Sequence, residues 1–145
     1  MTIVYAFFAS LGFALLFEIK DYRLVIVSAL EGAIGWACYL ALSRCCSSYI
    51  AVFFATITIS ALAEVFARLL KSPATLFLVV GIIPLVPGAD IYYTMRHLIA
   101  GNMGAFGQSM LKTMIVAGAI AVGCSIVTAV MRIHRSMKRM RKAKP

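Results

Sequence analysis

Apolar runs of membrane-spanning length follow one another along almost the whole chain, separated by connectors of a few residues. They cover about Ile3–Phe17, Leu24–Leu42, Tyr49–Leu70, Thr75–Ala100 and Met110–Met131, the last after a glycine-spaced connector at Gly101, Gly104 and Gly107. A helix needs about 20 mostly apolar residues to cross the hydrocarbon core of a bilayer. Composition agrees, with 63% of the 145 residues hydrophobic and 13% charged, against about 45–50% and about 25% in soluble domains. A soluble fold of this size could not cover so much apolar surface, so lipid is the expected solvent. The expected fold is an all-α membrane protein of five transmembrane helices. The transmembrane domain is placed at 1–131 and a basic cytoplasmic tail at 132–145. The first run has no basic n-region and no A-x-A-like cleavage site, so it reads as a retained helix rather than a signal peptide.

The net charge of +9 is unevenly spread. Seven of the fourteen Lys and Arg residues lie between Arg132 and Lys144, where there is no acid, which leaves +2 for the rest. A basic segment directly after a membrane helix suits anionic lipid headgroups on the cytoplasmic face, and no nucleic-acid partner is expected. With five crossings and that tail inside, eleven basic residues lie inside and Arg44, Arg96 and Lys112 lie outside. If the fourth run were a re-entrant hairpin, the count would be eight to six. The positive-inside rule favours five crossings with the N-terminus outside. Small residues recur every four positions at Ala29/Ala33/Ala37, Ser28/Gly32, Ala51/Ala55, Ala63/Ala67 and Ala119/Gly123. Such spacing lets helix backbones approach closely in lipid, whether within the chain, against a partner or in a homo-oligomer.

The fourth run is interrupted by Pro84-Leu85-Val86-Pro87-Gly88. Pro84 cannot donate to the Val80 carbonyl, nor Pro87 to that of Ile83. Carbonyls freed at membrane depth need protein, water or a ligand. The run therefore reads as two half-helices, about Thr75–Ile83 and Ala89–Ala100. The second would present amide groups and a positive dipole end near mid-membrane, as transporters do toward a substrate carboxylate. The plainer reading is a proline kink satisfied by a neighbouring helix. Asp90 stands where an N-cap would, and either caps the second half-helix or binds an ammonium group. Tyr92 with Arg96, and Tyr93 with His97, share helix faces; Arg96 and His97 fit interfacial anchoring. Glu64 and Arg68 form an i,i+4 pair, while Glu31 has no cation nearby in its own helix. Ionisable groups within a membrane segment mark function by default, so Glu31 and Glu64 are candidates for proton coupling.

Neither a Gly-rich phosphate loop nor HExxH nor GxSxG occurs in the sequence, so enzyme chemistry is not expected. His97 and His134 have no metal-ligand spacing. Cys38, Cys45, Cys46 and Cys124 form no CxxC, so no metal, cofactor or redox site is expected.

At Gly81-Ile82-Ile83-Pro84-Leu85-Val86-Pro87-Gly88 and Tyr92-Tyr93-Thr94-Met95 the chain resembles the threonine/serine exporter (ThrE-type) family in its small-subunit form. Glu64-Val65-Phe66-Ala67-Arg68 resembles the family's glutamate–arginine element, and Gly12-Phe13-Ala14 through Phe17 its opening helix. Asp90 departs from the small or uncharged residue expected there. The resemblance implies a secondary exporter of small amino acids, or of dicarboxylates such as succinate, driven by the proton gradient. It also implies a larger membrane subunit as partner. The expected site comprises Pro84, Pro87, Gly88, Asp90, Tyr92 and Tyr93 for the solute, with Glu64 or Glu31 coupling protons in a bacterial inner membrane. The rival readings are a scaffold subunit whose partner holds the site, and a channel-like pore.

Overall fold

The computed structural model describes residues 1–142, and for 135, 136 and 138–142 the backbone alone. Lys144 and the side chains of most of the basic tail lie outside the described residues. The elements are α1 (Thr2–Leu16), α2 (Tyr22–Leu42), α3 (Ser48–Leu69), α4 (Ala74–Ile82), a 3-10 turn (Ile83–Leu85), α5 (Gly88–Ile99) and α6 (Met103–Lys142). No strand occurs among the described residues.

The helix ends follow local chemistry. Asp21 caps α2 by accepting the Arg23 amide at 2.9 Å, which satisfies one of the donors a helix start leaves open. The connector after α5 turns at Gly101, with φ +70. The Asn102 amide there reaches back to the His97 carbonyl at 3.0 Å, as a left-handed C-terminal residue allows. The ends of α1 and α3 use the same reversal at Glu18 and Lys71, with φ 53 and 51.

By length and composition, α2, α3 and the Met103–His134 part of α6 can each cross a membrane alone. α4 and α5 qualify only as a pair bent by 56°, and α1 is a shorter apolar helix. Three spans, or four with the bent pair, are thus evident where five were expected. A second departure concerns α6. The stretch holding Gly104 and Gly107 was expected to precede the last helix, but it forms the helix's first turns. Glycine weakens a helix without breaking it, and the Asn102 side chain supports the start of α6 by accepting the Ala105 amide at 3.2 Å. α6 also continues without a break past Met131 to Lys142.

α2, α3 and α4 pack around one another. α1 lies along α2 and touches the α4 side, α6 lies along α3, and α5 packs on α6. The small residues face inward: Ala29, Ala33, Ala51, Ala55, Ala63 and Ala67 are all buried. Phe77 of α4 fills the space beside Ala63 and Ala67, and Leu85 packs against Ala55 and Ile59. Without a hydrophobic force between helices in lipid, such close packing supplies the attraction.

α3 and α6 run parallel. Ser60 Oγ lies 3.6 Å from Cys124 Sγ, and Arg68 Nη2 lies 3.4 Å from Met131 Sδ. Those pairs are 64 and 63 residues apart. Carried back along both helices, that offset sets Ser48 level with Lys112. The first turns of α6, with antiparallel α5, therefore project beyond the start of α3.

Candidate functional site

The break in the fourth run is self-satisfied along the backbone. The Val80 carbonyl, deprived of a donor by Pro84, accepts the Ile83 amide. The Ile83 carbonyl, deprived by Pro87, accepts the Val86 amide at 3.2 Å. Both bonds skip three residues rather than four, which tightens the chain into the 3-10 turn. The freed carbonyls are therefore occupied by protein. The Gly88 amide, first in α5, is also engaged, with the Val86 carbonyl at 2.7 Å. The helix starts at Gly88 rather than Ala89, with Pro87 as its N-cap and no side-chain cap. Asp90 lies inside the first turn, so it is not the cap. Its carboxylate still sits favourably near the positive end of the helix dipole.

One turn before the break, α4 meets α2 at Gly81. A Cβ there would lie 2.9 Å from Ile59 Cγ2 and 3.2 Å from both Cγ and Cδ of Glu31. Glycine is what lets α4 close on that glutamate. Gly32 does the same for α1, since a Cβ would run into Ser10. Glu31, near the middle of α2, is 0% exposed. Both of its carboxyl oxygens are buried and have no hydrogen-bond partner among the described residues. Ser10 Oγ, Ser28 Oγ and Trp36 Nε1 are in the same condition. Buried polar groups are nearly always paired, so these groups on neighbouring turns of α1 and α2 stand apart from the apolar packing around them.

Glu64 differs. Its Oε2 lies 3.7 Å from Arg68 Nη2 near the end of α3, the i,i+4 ion pair read from the sequence.

On the other side of the break lies a cavity of about 420 Å³. Pro84 and Pro87 form part of its wall, with Asp90 from α5, Lys112 from α6 and the aromatic rings of Trp36, Tyr39 and Tyr49. The volume falls in the range of small-molecule sites. Of the residues expected to touch solute, Pro84, Pro87 and Asp90 meet at this cavity. Tyr92 and Tyr93 do not: they are exposed on α5, stacked edge to face on each other at 5.5 Å. Gly88 is exposed too, with open space where a β-carbon would stand. Sequence reasoning missed Lys112, Trp36, Tyr39 and Tyr49. Lys112 was legible in principle, since it stands four residues before Val116, which is buried and lines the same cavity. Among the described residues, no three His, Cys, Asp or Glu side chains converge as a metal site would require.

Three helices long and apolar enough to cross a membrane, packed around an unpaired interior carboxyl with a broken segment beside a cavity, are the build of a multi-pass membrane protein. The chain belongs to the threonine/serine exporter (ThrE) family, whose model matches residues 2–130. Its general role is thus in threonine/serine export, and the family is one of transporters rather than enzymes. No curated protein and no solved structure matches the chain.

Proposed function

We propose that this chain is the small subunit of a proton-coupled antiporter that exports small amino acids such as threonine and serine, or related carboxylates. It works with a larger membrane subunit in a bacterial inner membrane. The observation that carries the coupling is Glu31, a carboxyl at mid-helix depth with no partner among the described residues. A carboxyl held in that way is suited to taking up a proton on one side and releasing it on the other. Glu64 is the lesser candidate because Arg68 holds it in an ion pair. In cells carrying the complete exporter, Glu31→Gln should abolish the dependence of threonine efflux on the proton gradient while the protein stays in the membrane at its usual level. Gradient-dependent efflux at the normal rate would remove Glu31 from the coupling.

The same reading has five crossings, with the N-terminus outside and the basic end of α6 inside. Two features support it. A 56° bend deflects the chain but does not turn it back, as a re-entrant hairpin must. The parallel run of α3 and α6 also requires the segment between them to return the full height of the bundle. α1 would cross with its ends near the headgroups, since its 15 residues reach about 22 Å. Cys45 and Cys46 are exposed in the α2–α3 connector. They should react with an impermeant thiol reagent on intact cells, and reaction only after permeabilisation would favour a re-entrant fourth run instead.

A further inference from the structure

The cavity beside the break is lined by one acid and one base, Asp90 and Lys112, and no other charged residue. They stand on different helices and do not pair with each other; Glu64 and Arg68 form the ion pair found among the described residues. Opposite charges that share a cavity without closing on one another leave room for a ligand bearing the complementary pair. Asp90 sits in the first turn of α5, where its carboxylate already answers the positive end of the helix dipole. A solute carboxylate arriving there would meet Asp90 first, so its counter-charge has to come from elsewhere, and the cavity offers Lys112. A solute ammonium finds the Asp90 carboxylate, with the faces of Trp36, Tyr39 and Tyr49 as further attraction for a cation.

We infer that Asp90 and Lys112 are the charge-reading pair of this cavity, Lys112 receiving a carboxylate and Asp90 selecting an ammonium group and rejecting a second carboxylate. The inference rests on the reading of the chain as part of an exporter, and it makes the solute an amino acid rather than a dicarboxylate. Rejection is the work of Asp90 alone, because a dicarboxylate would bring like charge against it with no cation to compensate. A lysine gives a point charge that accepts carboxylates of many shapes, so Lys112 supplies attraction and little selectivity.

The test is equilibrium binding of labelled threonine to the purified complete exporter, competed by unlabelled threonine or succinate, with efflux measured alongside. Asp90→Asn should weaken threonine binding by about tenfold or more, the scale of a lost charge contact, and should let succinate compete where it did not before. Asp90→Glu should restore the preference. Lys112→Gln should weaken threonine binding and also abolish the succinate binding that Asp90→Asn creates. An unchanged threonine-to-succinate ratio in Asp90→Asn, in a complex that assembles normally, overturns the inference. Threonine binding with the expected variant effects but no efflux would leave the pair standing and sink the exporter reading. Binding of neither solute by the unmodified complex would overturn both.

Discussion

α4 and α5 are the two halves of one interrupted apolar run, yet their surroundings differ. α4 touches α1, α2 and α3 and buries Phe77, Val80 and Gly81. α5 packs on α6 and buries Thr94, whose hydroxyl lies 3.4 Å from that of Thr113. The first half is part of the frame, and the second is an arm set at 56° to it. The difference teaches that the break does more than free backbone groups, since both carbonyls left without donors are satisfied locally. It separates a packed anchor from a helix whose direction decides where Asp90 stands.

The comparison breaks most completely if the two halves are joined. Replacing Pro84 and Pro87 together with alanine restores two amide donors and removes residues that cost about 3 kcal/mol each inside a helix. α4 and α5 should then extend as one rod, carrying Asp90 away from the cavity and α5 away from α6. The expected result is loss of threonine efflux with membrane insertion intact. Efflux near the normal rate in the double variant would show that the bend has no part in transport.

A smaller effect sharpens the contrast between packed and unpacked glycines. Gly81→Ala places a methyl against Ile59 and Glu31 on the frame side, and overpacking of that kind costs about 1–3 kcal/mol. Gly118→Ala on α6 meets nothing within 4 Å. It should be neutral or stabilise by up to about 1 kcal/mol, since glycine is the poorer helix former. Thermal unfolding of the two variants in detergent measures the difference, and equal midpoints would mean that α4 is not held as closely as described.

The parts of this arrangement that were legible in the sequence are those with a physical signature in one segment. Long apolar runs announced α2 and α3, and two prolines and a glycine within five residues announced the break. Glu31 was conspicuous because its own helix offers no cation near it. What stayed hidden depended on direction in space. Tyr92 and Tyr93 adjoin the break in sequence, but the turn of α5 points them outward. The glycines at 101, 104 and 107 read as one connector, although Gly101 alone takes a positive φ and the other two sit in helix. That error moved the start of α6 and concealed that Lys112 stands on its third turn, lining the same cavity as Asp90. The aromatic wall is drawn from the end of α2 and the start of α3, and only folding brings those together.

α6 has a mechanical consequence. Forty helical residues make a rod about 60 Å long, roughly twice the hydrocarbon thickness it passes through. Its early turns carry Lys112 into the cavity, and its far turns carry Arg132 and the basic residues after it. Prolines are absent from it, and its backbone runs from Met103 to Lys142 without interruption. Lys112 and Arg132 therefore stand on one uninterrupted helix, about 30 Å apart along its axis, so the place of one fixes the place of the other more closely than two helices joined by a loop would.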